Sequence, residues 1–224
     1  CTYGERIMNI ATTLRYVNLE KGDAWDKRYY TMHDYILMAN KYNVGLTAVM
    51  SEFDIEKVCE NCDGLIIPGS SNAIDPAYYG KPSLPEPLIV DEYALDKKLI
   101  EFFLERNKPI FGVCGGHQEL NIFFGGTIRE IPVKKSHLDK THTINIKENS
   151  FVYDVFKSTK ATVNTYHEWE IEKLAPCLDV VATSPDGIIE AVECKEKKIF
   201  ATQWHPEQSF HIGDPIENKF FENF

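Results

Sequence analysis

The stretch "KPIFGVCGGHQELNIFFGGTI", Lys108 to Ile128, constrains this chain more than any other. An apolar run from Pro109 to Val113 reads as a buried strand, and the segment after Gly116 reads as a helix that stops at a glycine pair. Between them stands Gly112-Val113-Cys114-Gly115-Gly116. A thiol between glycines, where a strand ends and a helix begins, is the cysteine counterpart of the G-x-S-x-G nucleophile elbow. The glycines let the chain turn sharply and keep side chains clear of a strained nucleophile. The helix that follows aims its N-terminal amides at the sulfur, which favours thiolate. A buried structural cysteine would need neither the glycines nor the junction.

The rest of the first half alternates strand and helix. Met8–Thr13, Gly45–Met50, Gly64–Pro68 and Pro109–Val113 read as strands, and Asp26–Tyr42, Asp54–Cys62 and Asp91–Asn107 as helices. Such alternation predicts a parallel sheet covered on both faces, with chemistry at the carboxyl ends of its strands. The second half is strand-rich. Thr141–Glu148 alternates strictly, Lys160–His167 is strand-like, and Asp179–Glu207 reads as successive antiparallel strands turning at Ser184–Gly187 and Glu196–Lys198. Pro215–Phe224 reads as a terminal helix cut short. The expectation is a single α/β domain over residues 1–224. Its sheet is mostly parallel and flanked by helices, with an antiparallel C-terminal portion, and residues 1–7 are an unassigned leader.

Composition narrows the function. The formal net charge of -10 argues against nucleic acid as a partner, and no apolar run approaches the length of a membrane span. The first residues do not read as a secretory signal. Six scattered cysteines then point to reduced thiols and a cytoplasmic address. Cys59 and Cys62 form a CxxC, but no second pair or histidine follows at zinc-ligand spacing, so they read as two thiols at a helix end.

A thiolate nucleophile needs a base, and the base needs an orienting group. His205-Pro206-Glu207 offers both, because residues two apart in extended chain face the same way and Pro206 stiffens the pair. An oxyanion hole needs backbone amides. Gly115 supplies one, and the turn after "GLIIP", at Gly69-Ser70, is placed to supply a second.

In this order and spacing, "PGSSNAIDPAYYG", "FGVCGGHQELNIFFGGTI", "VNTYHEW" and "FATQWHPE" resemble the class I glutamine amidotransferase superfamily. Within it they are most similar to the gamma-glutamyl-gamma-aminobutyrate hydrolase branch, from Met8 to the end. The resemblance implies a flavodoxin-like fold and a thioester mechanism on a small-molecule gamma-glutamyl amide, without metal or organic cofactor. It implies that Cys114 attacks the carbonyl, His205 carries the proton and Glu207 orients it, while the Ser70 and Gly115 amides hold the oxyanion. Gln118 would brace the elbow, and His167 would lie in the glutamyl pocket. Arg15, just after the first strand, reads equally as a carboxylate binder and as a surface arginine.

The chain departs from the pattern at Gly115, where the family often has an arginine, which puts recognition of the substrate's distal charge in doubt. Cys1 is not followed by the signature of an N-terminal nucleophile. Beside the free-standing hydrolase stand two other readings: a glutaminase supplying ammonia to a partner synthase, and a binding module with a degenerate site. The sequence leaves the oligomeric state, including a homodimer, open.

Overall fold

Short apolar runs, each too short for a helix and bounded by turn residues, assemble here into one sheet. The computed structural model describes residues 7–18, 27–132, 137–138, 140–213 and 216–222. The N-terminal leader through Glu5 and Arg6, with Cys1, lies outside the described residues, as does part of the expected C-terminal helix.

The chain runs through β1 (Asn9–Thr13), β2 (Arg15–Asn18), β3 (Lys27–Tyr30), α1 (His33–Tyr42), β4 (Gly45–Val49), α2 (Ile55–Cys59), β5 (Gly64–Ile67), α3 (Glu92–Glu105), β6 (Ile110–Val113) and α4 (Gly115–Phe123). It continues through β7 (Thr127–Glu130), β8 (Lys140–Ile146), α5 (Phe151–Phe156), β9 (Lys160–Thr165), β10 (Trp169–Lys173), β11 (Asp179–Thr183), β12 (Ile189–Cys194), β13 (Ile199–Thr202) and α6 (Ser209–Ile212). Among the described residues the main sheet has nine strands in the order β4-β1-β5-β6-β13-β12-β11-β8-β9. The first five are mutually parallel. From β13 outward each neighbour is antiparallel. The fold is therefore α/β with a mixed sheet, a parallel core and an antiparallel C-terminal portion.

The parallel strands are buried on both faces. Leu65, Ile67, Leu99, Phe103, Ile110 and Leu120 pack into one cluster, and Ile66, Phe111, Val113, Trp204 and Phe220 into another. Alternate residues of β5 and β6 thus serve opposite layers, as the period of a strand requires. Cys59 and Cys62 belong to the first cluster, fully buried at the end of α2.

Two expectations change. Residues expected to open the helix at Asp26–Tyr42 instead form β3, which pairs with β2 from Arg15↔Tyr30 to Asn18↔Lys27. Helical and strand spacing both fit this Tyr-rich run. The cross-strand pairing decides it, with Tyr16 and Tyr29 meeting edge to face at 5.6 Å. At the far end, Glu217–Phe221 is a 3-10 turn rather than a helix. Five elements have no counterpart in the expectation: β2, β7, β10, α6 and α5, the last capped by the Ser150 hydroxyl accepting from the Tyr153 N–H.

Candidate active site

The elbow forms where β6 hands over to α4. Cys114 sits at φ 52°, ψ -100°, a conformation that L residues avoid. Its N–H donates to the Thr202 carbonyl of the neighbouring strand β13 at 2.8 Å, which fixes the turn. Gly116 has no alternative here, since a Cβ would stand 2.3 Å from the Ile67 carbonyl oxygen. That close approach lets α4, buried from Gly115 to Ile122, seat against the ends of β5 and β6.

His205 and Glu207 follow β13, the strand beside β6. His205 Nδ1 lies 2.7 Å from Glu207 Oε1. They converge through a 3-10 turn at Pro206–Gln208, not through the extended chain expected from the sequence. Proline at the first position of that turn has the right φ and no N–H to satisfy, so the turn starts at once. Asn164 clamps His205 from β9, its side chain accepting from the His205 N–H at 2.8 Å and donating to its carbonyl at 2.7 Å. Burial opposes a charged imidazole. The Glu207 carboxylate and then the Cys114 sulfur outweigh it and hold His205 well above its usual value. A Cβ on Gly69 would lie 2.8 Å from His205 Cε1 and 3.2 Å from Cys114 Cβ, so histidine and cysteine crowd the same small turn.

That turn, Gly69-Ser70 after β5, faces the elbow directly. The Ser70 nitrogen lies 2.9 Å from where a Cβ on Gly115 would stand. Neither the Ser70 nor the Gly115 amide donates to an acceptor among the described residues. Both remain available beside the sulfur. The side chain of Ser70 is used otherwise, its hydroxyl bonding Glu92 at 2.5 Å and accepting from the Asn72 N–H.

Gln203 had no role in the sequence reading, although it lies two residues before His205. Its amide donates to Cys114 Sγ at 3.6 Å, while its oxygen meets His117 Nδ1 and Gln118 Nε2, each at 3.2 Å. Burial pushes His117 down to about 4, so it is neutral near pH 7 and its Nδ1–H orients Gln203 toward the sulfur. Gln118 also donates to the Trp169 carbonyl at 3.1 Å, so it braces the elbow against β10. His167 lines the cleft, but its nitrogens are directed to the Trp169 carbonyl at 3.0 Å and toward Glu190 at 3.6 Å.

Arg15 is buried, which resolves the choice the sequence left open. It bonds Asp96 and the Pro68 carbonyl, each at 2.5 Å, with Glu119 at 3.6 Å and Glu92 at 3.8 Å. It therefore ties β2, α3 and α4 to the end of β5, directly behind Gly69-Ser70. Burial, with Asp96 beside it, pushes Glu119 well above the usual carboxylate range despite Arg15. Arg15→Met leaves these carboxylates together and buried. Urea denaturation should then show a loss of about 3–5 kcal/mol at neutral pH. Arg15 is the group that holds Glu119 down, so without it the raised Glu119 binds its proton more tightly folded than unfolded, and the variant should regain stability as pH falls. An unchanged midpoint would mean that the cluster contributes nothing.

The cleft in front of Cys114 has a volume of about 330 Å³ and is bounded by Ser70–Ile74, Gln118, Leu138, Tyr166 and Trp169. A larger cavity of about 540 Å³ is lined by Phe111, Phe151, Phe200 and Phe220 but by neither a cysteine nor a histidine, so thiol chemistry selects the smaller one. Tyr78 and Tyr79, in the long loop after Ser70, do not line this cleft. Tyr78 stacks edge-on against Tyr93 at 4.7 Å, and Tyr79 is buried with Tyr93 and Ile128.

A cysteine elbow on a parallel sheet, with a His–Glu pair just past the next strand, defines a hydrolase of glutamine amidotransferase-like build. Residues 7–207 match the peptidase C26 family, and the chain belongs to it. It is 31% identical over 220 residues to YvdE of Lactococcus lactis, a protein named for its likeness to glutamine amidotransferases, with 89% of each chain covered. It is 27% identical over 224 residues to the gamma-glutamyl-gamma-aminobutyrate hydrolase PuuD of Escherichia coli K12, covering 91% of this chain and 88% of that one. A solved glutamine amidotransferase from Thermotoga maritima superposes with a TM-score of 0.61 at 16% identity, covering 98% and 87% of the two chains. That last likeness speaks to the fold alone. No helix among the described residues is long and apolar enough to cross a membrane.

Proposed function

We propose that the chain hydrolyses gamma-glutamyl amides through a thioester on Cys114, releasing glutamate and an amine. The observation that carries this reading is the shared turn at which Cys114, the His205–Glu207 pair and two undonated amides meet, opening into a cleft of about 330 Å³. That volume suits a small amino-acid conjugate.

In the first step the sulfur attacks the gamma-carbonyl carbon, and the new alkoxide is held by the Ser70 and Gly115 amides. His205, protonated and held so by Glu207, gives its proton to the departing amine nitrogen as the C–N bond breaks. Water then enters. His205 removes its proton as the oxygen attacks the thioester carbon, and the C–S bond breaks to free glutamate. Gln203 donates to the sulfur throughout, and Gln118 with the ring of His167 shapes the glutamyl side of the cleft. The 27% identity to PuuD supports a gamma-glutamyl substrate, and the exposed Ser71 and Ala73 on the cleft's lining support a leaving amine larger than ammonia.

The purified chain, without any partner, should cleave at least one gamma-glutamyl secondary amide faster than free glutamine. Glutamate release across a panel of conjugates measures this. Hydrolysis of glutamine alone, and only after a synthase is added, would instead make it an ammonia-supplying subunit.

A further inference from the structure

Behind the cleft, four side chains converge with no hydrogen-bonding partner for the atoms that meet. His142 Nε2 lies 3.4 Å from Glu190 Oε1, and His137 Nδ1 and His167 Nε2 each lie 3.6 Å from the same oxygen. All three ring nitrogens and both Glu190 oxygens are buried and unsatisfied among the described residues. A buried carboxylate left so is costly. His137 Nε2 is 3.0 Å from Asp186 Oδ2, and His167 Nδ1 is 3.0 Å from the Trp169 carbonyl. Those acceptors place the ring protons on the outward nitrogens. With those protons outward, His137 Nδ1 and His167 Nε2 can turn lone pairs toward Glu190.

The geometry points to a divalent transition-metal site, zinc by its donor set, held by His137, His142, His167 and Glu190. A tetrahedron with metal–ligand bonds of about 2.0–2.1 Å has edges of about 3.4 Å, close to the three nitrogen–oxygen separations. The ligating atoms of His137, His142 and Glu190 all lie within 4.8 Å of one another; His167 Nε2, 3.6 Å from the same Glu190 oxygen, stands outside that group and a bound ion would draw it in as the fourth ligand. Three imidazoles and one carboxylate suit zinc better than calcium or magnesium. Asp186 and the Trp169 carbonyl orient two of the imidazoles, as outer partners of metal-bound histidines do. Asp186 is itself held by the Ser184 hydroxyl at 2.5 Å.

Four protein ligands close the coordination shell, so the role is structural. The ion would join the β7–β8 connection, β8, the end of β9 and β12. Leu138 and Tyr166, next in sequence to His137 and His167, line the cleft, so the site fixes its outer wall. The site shares His167 with the wall of the cleft, but its metal binding does not require the chemistry proposed at Cys114.

The test uses the whole chain, stripped of metal with a chelator that is then removed, and titrated separately with Zn(II) and Co(II). One equivalent per chain should bind at micromolar or lower concentration and raise the thermal midpoint. The Co(II) form should show the visible bands of a tetrahedral site without thiolate-to-cobalt charge transfer, which excludes Cys59 and Cys62. Glu190→Gln and His142→Ala should lose the equivalent, whereas Cys114→Ala keeps it whether or not Cys114 is the nucleophile. Failure of the wild-type chain to take up one equivalent would overturn the site. So would an equivalent retained by both ligand variants, or a thiolate charge-transfer band in the wild-type Co(II) form.

Discussion

Cys114→Ala is expected to lower kcat/KM on gamma-glutamyl amides by about 10⁶-fold, down to the rate that binding and the oxyanion amides alone sustain. No other described cysteine can replace it. Hydrogen bonding from Cys59 draws Cys62 down to about 7 against the effect of burial, but both thiols are fully buried and out of reach of substrate. Burial raises Cys177 instead. A glutamine-like electrophile should therefore label Cys114 stoichiometrically, and equal labelling of Cys59 or Cys62 by mass spectrometry would refute the assignment. The strained backbone adds a second readout. Alanine retains the Cβ that makes φ 52°, ψ -100° unfavourable, whereas glycine relieves about 1–2 kcal/mol. Greater freedom of the unfolded chain offsets roughly 0.5–1 kcal/mol of that gain. Cys114→Gly should thus be inactive yet at least as stable as Cys114→Ala in urea. A clearly less stable glycine variant would mean that the elbow stores no strain.

Glu207→Gln is expected to reduce kcat by about 10³–10⁴-fold with little change in KM, less than the loss at Cys114. The amide keeps the shape of the carboxylate, but it cannot stabilise a buried imidazolium. Burial already disfavours the charged ring, and the Glu207 carboxylate is the largest influence opposing it. Without that charge the His205 value must fall. Donation to the leaving amine needs protonated His205, so the alkaline limb of kcat/KM should move to lower pH in the variant. An unchanged limb together with an unchanged rate would mean that another group, such as Asn164 on the backbone of His205, orients the ring.

Much of this molecule could be read from local pattern. The β6–α4 elbow is written within a few residues, because glycines mark the turn and the hydrophobic period changes from strand to helix across it. The parallel core was legible for the same reason, since strands buried on both faces leave continuous apolar runs such as Leu65–Ile67. His205-Pro206-Glu207 was legible as a pair, although its turn geometry was not. Elsewhere the pattern was ambiguous. Lys27–Tyr30 fits a helix as well as a strand, and only pairing with β2 chooses.

By itself, the sequence determined the strand–helix alternation of the parallel core and the strand–turn–helix junction at Cys114, because each depends on residues a few positions apart. Tertiary structure decided what depends on distant neighbours. Arg15 is buried only because Asp96 and Glu119, 81 and 104 residues away, close around it. Glu190 looks like the outward half of an alternating strand, yet it is buried where three histidines from other segments meet. A charge can be taken out of water only where compensating groups arrive together, and no local pattern records that arrival.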